Sequence, residues 1–474
     1  MPSNPLAPLW LAVPNDANEL PSAVWSRGAR RAASGEVEIA GVAVSAIVAE
    51  FGTPVYVVDQ SDAVSRASEI RHAFDRELAR VGSSAKVYYA GKAFLCTEVA
   101  RWVTGEGLNI DVSSGGELAV ALAGGVDPAR LGLHGNNKSP AEIDRAVRVG
   151  VGAIVIDSAV EIERVAEAAV RHDRVQAVRL RINSGVHAST HEYLATARED
   201  QKFGIPLADA PALVARIRSH RSLRFLGLHS HIGSQIFESE GFAESAKRLF
   251  ALHAELLKDG PVPELNLGGG FGIAYSSADE PMPIAELAAR FADIVAEGAA
   301  QHGVPVPIIA VEPGRSIIGP STATVYTVGT IKDVIVDGVA VRKYVSVDGG
   351  MSDNIRPSLY GADYSARIVS RTSQASPTLV RIAGKHCESG DILVHADYLP
   401  GDVAAGDLLA IPATGAYGWA MASNYNYLAR PPVVAVLDGV ARLIIRGETE
   451  EDLLSRDVGL RDFAGHGFAQ REKK

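Results

Sequence analysis

The sequence predicts an α/β protein in which a (β/α)8 barrel is joined to a second, mostly β domain of sandwich or Greek-key type. Three observations predict it. Between about residues 52 and 318, short runs of valine, isoleucine and leucine alternate with longer alanine-rich segments that carry Arg and Glu at helical spacing. The apolar runs number about eight, as a closed barrel requires. After about residue 320 the pattern changes to alternating strands punctuated by Asp-Gly turns at Asp337-Gly338 and Asp438-Gly439, each flanked by β-branched residues.

The candidate barrel strands, in order, are Val87 to Lys92, Asn109 to Ser113, Arg130 to Gly135, Ala153 to Asp157, Ala177 to Asn183, Phe225 to Gly233, Glu264 to Gly268 and Ile308 to Glu312. An open doubly wound sheet alternates in the same way, but it places its glycine-rich fingerprint early; here Gly268-Gly269-Gly270 follows the seventh strand. The barrel is therefore assigned to 52–318 and the β-rich domain to 1–51 plus 319–474. Val55 to Asp59 also reads as a strand, with the amino-terminal segment packing on the β domain.

With 474 residues, 47% of them hydrophobic, the chain can bury two cores. A formal net charge of -10 and the lack of a basic stripe argue against nucleic acid as a partner. Met1 to Pro21 lack a basic lead and a long apolar run, and no segment reaches membrane-spanning length. Two cysteines, Cys96 and Cys387, are a poor basis for a disulfide framework and fit a reducing compartment, so a cytoplasmic enzyme is expected.

Barrel active sites lie at the carboxyl ends of the strands, and reactive side chains gather there in this sequence. The first strand ends in Lys92, the second in Asp111 and Ser113, the third in His134 and Asn136, the fourth in Asp157, the fifth in Arg181 and Asn183, and the sixth in His229 and His231. Residues two apart in a strand share a face, so these sets converge on one mouth. A lysine closing the apolar run Tyr88-Tyr89-Ala90-Gly91-Lys92 is expected to be buried, with a depressed pKa suited to Schiff-base chemistry. Alone, such a lysine reads equally as snorkelling to the rim.

Gly268-Gly269-Gly270 offers backbone amides without Cβ atoms, able to wrap an anion at the usual phosphate position of a barrel, although such runs also serve tight turns. Glu312 ends the eighth strand, where a carboxylate can keep a pyridinium protonated, and Arg315 lies three residues on; in isolation the two also read as a local ion pair.

Several stretches together resemble the barrel-type pyridoxal-phosphate-dependent decarboxylases of the alanine-racemase-like fold, the diaminopimelate decarboxylases most closely. They are Asp111-Val112-Ser113-Ser114-Gly115-Gly116-Glu117-Leu118, His134-Gly135-Asn136-Asn137-Lys138, Gly227 to Gln235, Val311-Glu312-Pro313-Gly314-Arg315, Asp353 to Gly361, Gly384 to Asp391 and Gly415-Ala416-Tyr417-Gly418. The resemblance implies a barrel that binds pyridoxal 5'-phosphate and converts meso-2,6-diaminopimelate to L-lysine and carbon dioxide, the last step of lysine biosynthesis. It assigns Lys92 as the lysine that carries the cofactor, His231 as the ring that stacks on it, Ser234, Gly268, Gly269, Gly270, Gly314, Arg315 and Tyr417 as its other contacts, and Glu312 as the partner of its ring nitrogen.

By the same resemblance Arg315, Arg356 and Tyr360 hold the distal carboxylate of the substrate, and Tyr417 reaches both phosphate and substrate. Cys387 is then the proton donor and Glu388 the contact to the distal amine, both given across a homodimer interface. Read alone, Cys387 is an inert structural thiol. No metal is implied. The chain departs from the family at Gly91, Ser184 and His386, none of which removes a group the chemistry needs. A decarboxylase of ornithine, arginine or carboxynorspermidine and a barrel-type racemase are the rivals; Arg356 with Glu388, and the Cys387-Glu388-Ser389-Gly390-Asp391 element, argue against them. The stretch Ala188 to Phe203 is a candidate loop over the site.

Overall fold

A computed structural model describes residues 4–186, 202–338 and 340–459. The eight barrel strands are Ala85–Ala90, Asn109–Val112, Leu131–Leu133, Ala153–Ile156, Gln176–Asn183, Leu223–His229, Glu264–Gly269 and Ile308–Glu312. They run parallel, each paired with its neighbours in chain order from the first to the fourth and from the fifth to the eighth. Pairing of the fourth with the fifth, and of the eighth with the first, closes the ring. The expected barrel is thus present, with every predicted strand in place.

Some strand ends, such as both ends of the eighth, fall where expected and others differ by up to four residues, for local reasons. The first strand stops at Ala90, and Gly91–Ala93 form a 3-10 turn, so Lys92 sits on the turn above the strand. A Cβ on Gly91 would lie 2.8 Å from the Asp111 carbonyl oxygen, which explains why the turn needs glycine. Likewise the sixth strand ends at His229, leaving His231 beyond it. The two-residue spacing therefore places Arg181 and Asn183 on one face of the fifth strand but does not do so for His229 and His231.

Helices cover the outside of the barrel. Gln60–Arg80 is capped by Asp59, whose carboxylate accepts the Asp62 N–H at 3.0 Å, and it buries Ala63, Ala67, Ile70, Phe74 and Leu78. That stripe recurs every three to four residues and packs Phe74 against Phe271 and Phe291.

The second unit is a mixed β-sheet built on the long strand Thr322–Val336. Its first half lies between Val55–Asp59 and Leu408–Pro412, antiparallel to both; its second half forms a hairpin with Ala340–Val347. Asp337 and Gly338, with φ of 53° and 71°, make that turn, and Asp438 and Gly439, at 49° and 75°, join Val433–Leu437 to Val440–Ile445, as the Asp-Gly signals predict. Val55–Asp59, which the sequence groups with the barrel segment, is hydrogen-bonded into this sheet. Val24, Trp25, Val37, Ile39, Val44 and Ile47 of the amino-terminal segment share its core.

Candidate active site

At the carboxyl end of the barrel a cleft of about 1000 Å³ is lined by Lys92, Ser234, Tyr275, Arg315, Arg356, Tyr360 and Tyr417, among others. A small cavity opens from its floor, lined by Lys92, His231, Ser234, Gly270, Glu312, Gly314, Arg315 and Tyr417. Eight of the residues selected from sequence therefore surround one space.

The groups sort by chemistry along this space. At one end Arg315, buried, donates from Nη2 to the Ser234 hydroxyl at 2.8 Å and from Nη1 to the Tyr275 hydroxyl. Its Cζ lies 4.6 Å from the centre of the Tyr417 ring, while its Nε is buried without a partner. Tyr417 adopts a left-handed φ of 62°, held by its N–H donating to the Ala93 carbonyl at 2.8 Å, which ties it to the Lys92 turn. At the other end the Glu312 carboxylate accepts from Asn266 Nδ2 at 2.7 Å and lies 3.0 Å from His229 Nε2. Burial opposes its ionisation, but the imidazoles of His229 and His134 hold it well below the usual carboxylate range.

His231 stands between these ends. Its Nδ1 accepts the Gly269 N–H at 3.2 Å, which leaves Nε2 as the protonated nitrogen of the neutral ring. Burial, with Lys92 nearby, keeps that ring's pKa well below the ordinary value, so it is uncharged at neutral pH. Lys92 departs from expectation: its side chain is exposed to the cleft, because the 3-10 turn lifts it above the barrel.

The three glycines divide in role. The N–H of Gly268 donates to Asn266 Oδ1 at 2.8 Å and that of Gly269 to His231, so both shape the turn, and only Gly270 lines the small cavity. A Cβ on Gly269 would stand 2.0 Å from the Glu312 carbonyl oxygen, and one on Gly270 2.3 Å from that of Gly233. Close backbone approach alone requires glycine at both.

Arg356 opens the short helix Arg356–Tyr360 and points into the outer cleft, donating to the Tyr364 hydroxyl with its Cζ 4.4 Å from the Tyr275 ring centre. Tyr360 is exposed on the same rim. Cys387 and Glu388 are exposed and do not line the cleft that holds Lys92. His386 beside them is buried, its two ring nitrogens 2.9 Å from Asn426 Oδ1 and Ser352 Oγ. The candidate loop from Ala188 lies, through residue 201, outside the described residues; Phe203, at its far end, stacks under Arg181 at 4.2 Å. Sequence reasoning missed Tyr275, Tyr364 and Asn266. Only Asn266, two residues before the glycines on a strand, carried a periodicity signal.

Residues 64–319 match the model of the pyridoxal-dependent decarboxylase pyridoxal-binding domain. The chain is 50% identical over 452 residues to diaminopimelate decarboxylase of Mycobacterium tuberculosis, covering 94% of this chain and all of that one. The chain belongs to the diaminopimelate decarboxylase family. The Corynebacterium efficiens diaminopimelate decarboxylase is 47% identical, over 93% of this chain and 95% of its own. Among solved structures, diaminopimelate decarboxylase of M. jannaschii in complex with L-lysine is 30% identical with a TM-score of 0.84, covering 91% of this chain and 98% of that one.

The donor set fits the cofactor of a pyridoxal-dependent family. A cationic end with an orphaned guanidinium N–H, a flat neutral imidazole, a primary amine and a buried carboxylate match a phosphate, an aromatic ring, an aldehyde and a ring nitrogen respectively. Among the described residues no helix is long and apolar enough to cross a membrane.

Proposed function

We propose that this protein decarboxylates meso-2,6-diaminopimelate to L-lysine with pyridoxal 5'-phosphate held in the small cavity. The observation that carries the reading is that Lys92 lines both the small cavity with Glu312 and the cleft with two buried guanidiniums, Arg315 and Arg356. The bound cofactor supplies an electron sink for the carbanion that loss of carbon dioxide leaves.

The residues of the chain do the rest. Lys92 provides the amine that anchors the cofactor, and Glu312, ionised, accepts a hydrogen bond from the protonated ring nitrogen. Ser234, Gly270, Gly314, Arg315 and Tyr417 hold the phosphate end, with Gly268 and Gly269 shaping the turn beneath. His231 stacks on the ring, its tautomer set by Gly269. In the outer cleft Arg356, Tyr360 and Arg315 take the distal carboxylate, a task suited to planar guanidiniums that can bind it bidentately.

Cys387 as proton donor and Glu388 as contact to the distal amine come from a second copy of the chain. Their exposure away from the Lys92 cleft supports this, as do the neighbouring exposed side chains of Tyr425 and Tyr427.

Carbon dioxide release by the purified protein with added cofactor tests the reading, with meso-diaminopimelate, ornithine, arginine and L-lysine as substrates and Lys92→Ala as control. Release from diaminopimelate alone, lost in the variant, is expected; release from another diamino acid overturns the substrate. Mixing inactive Lys92→Ala and Cys387→Ala proteins is expected to restore activity through shared sites, and failure to do so removes the partner's role.

A further inference from the structure

Beneath Glu312 the barrel holds a second acid that the proposed chemistry leaves unused. Asp111, on the second strand, and His134, just past the third, are both buried. His134 Nε2 lies 3.1 Å from Asp111 Oδ1 and 3.6 Å from Glu312 Oε1, so one imidazole nitrogen stands between two carboxylates. His229 meets His134 edge to face, with ring centres 5.1 Å apart, and completes the collar.

The backbone is shaped to admit Asp111. On the adjacent strand a Cβ at Gly132 would fall 2.3 Å from Asp111 Oδ1, so the absence of a side chain there makes the space for the carboxylate. Both Asp111 oxygens, His134 Nε2 and both His229 nitrogens are nonetheless left without a well-formed hydrogen bond, although buried polar atoms ordinarily have one. Two of these atoms, His134 Nε2 and His229 Nε2, lie 3.6 and 3.0 Å from Glu312 Oε1.

We propose that Asp111 and His134 act as a positioning pair that fixes the orientation and the charge of Glu312 toward the cofactor's ring nitrogen. The inference rests on the proposed binding of pyridoxal phosphate. Two buried carboxylates sharing one imidazole cannot both be ionised without compensation, so the site divides the charge unequally. Burial pushes Asp111 up while the imidazoles hold Glu312 down, so the carboxylate that faces the cavity is the more readily ionised of the two. His134 stands between the two carboxylates and bridges them.

The test uses the full chain loaded with pyridoxal phosphate, in the variants His134→Asn, Asp111→Asn and the double, with His134→Gln in reserve should the first not fold. Three quantities are read: the position of the bound cofactor's visible absorption band, the rate of cofactor loss on dialysis, and kcat. Each single variant is expected to shift the band, to hasten cofactor loss and to lower kcat on the order of tenfold, as loss of an outer-shell partner does elsewhere. The double variant is expected to be no worse than the poorer single one, since the pair acts as a unit. An unshifted band with additive losses overturns the proposal. So does stoichiometric zinc in the purified protein that His134→Asn removes, which would make the collar a metal site. If the wild-type chain binds no cofactor through Lys92, the functional reading itself falls; if it does and the variants match it, only the positioning role falls.

Discussion

The barrel encloses two buried clusters of charged groups, one at its floor and one beneath the cleft, and they are built differently. At the floor, Arg179 is fully buried and donates from both Nε and Nη2 to Glu264 Oε2, at 3.1 and 2.7 Å, while its Nη2 also reaches the Tyr88 hydroxyl at 2.8 Å. Lys86 closes on the other Glu264 oxygen. Burial opposes ionisation of Glu264, but Arg179 and Lys86 hold its pKa low. Beneath the cleft, Asp111, His134, His229 and Glu312 carry more acceptors than donors and leave several atoms unpaired. The floor cluster pairs each of its cations with Glu264 and leaves Arg179 Nη1 without a partner, whereas the upper cluster leaves such atoms on Asp111, His134 and His229.

The largest effect is expected where the floor pair is broken. Arg179→Met leaves Glu264 with only Lys86, and removing one partner of a buried pair costs about 3–5 kcal/mol. Urea unfolding should show that loss while kcat per folded molecule stays near wild type; an equal fall in kcat would erase the distinction between the two clusters. Glu312→Gln should do the reverse, lowering kcat by about 10²–10³-fold, the usual cost of losing one preorganised electrostatic contact, with little change in the urea midpoint.

Arg356→Ala sharpens the comparison within the cleft. It is expected to raise the KM for diaminopimelate, costing about 2–3 kcal/mol as for a truncated buried charge pair, and to leave cofactor retention unchanged. Unaltered KM would remove Arg356 from the substrate site.

The smallest effect separates the clusters by pH. Burial pushes His229 down to about 4, so between there and its unfolded value near 6.5 the unfolded chain binds the extra proton. Stability from this group is complete above pH 6.5 and is lost as pH falls toward 4. Glu264, held below its usual value of 4.5, gives up its contribution only at lower pH. Unfolding free energy should therefore decline first in the window from 6.5 to 4, and His229→Asn should lower the slope there without removing it, because burial also holds His231 and His253 below the ordinary imidazole value.

The share of the molecule legible in the sequence depends on which forces write a periodic pattern. Strand order and the convergence of Lys92, Glu312, Arg315 and His231 were readable, because burial on both faces of a parallel strand leaves continuous apolar runs and the barrel gathers the residues just past their ends. The exposure of Lys92 was not, since a three-residue turn after Ala90 has no period. Tyr275 and Tyr364 lie outside helices and strands, and nothing local announces that they meet Arg315 and Arg356. The split among Gly268, Gly269 and Gly270 was hidden for another reason: an anion site and a close backbone crossing both demand glycine, and the sequence does not say which demand applies.

The strands Val55–Asp59 and Thr322–Val336, which lead into and out of the barrel, pair directly, from Val55 with Val325 to Val58 with Thr322. In topological terms the barrel is a closed excursion from a β protein, with both ends of the excursion stitched at one seam. A circular permutation that opens the chain elsewhere would keep the seam and the fold, whereas a cut between the two strands would free the two halves of the active site from each other.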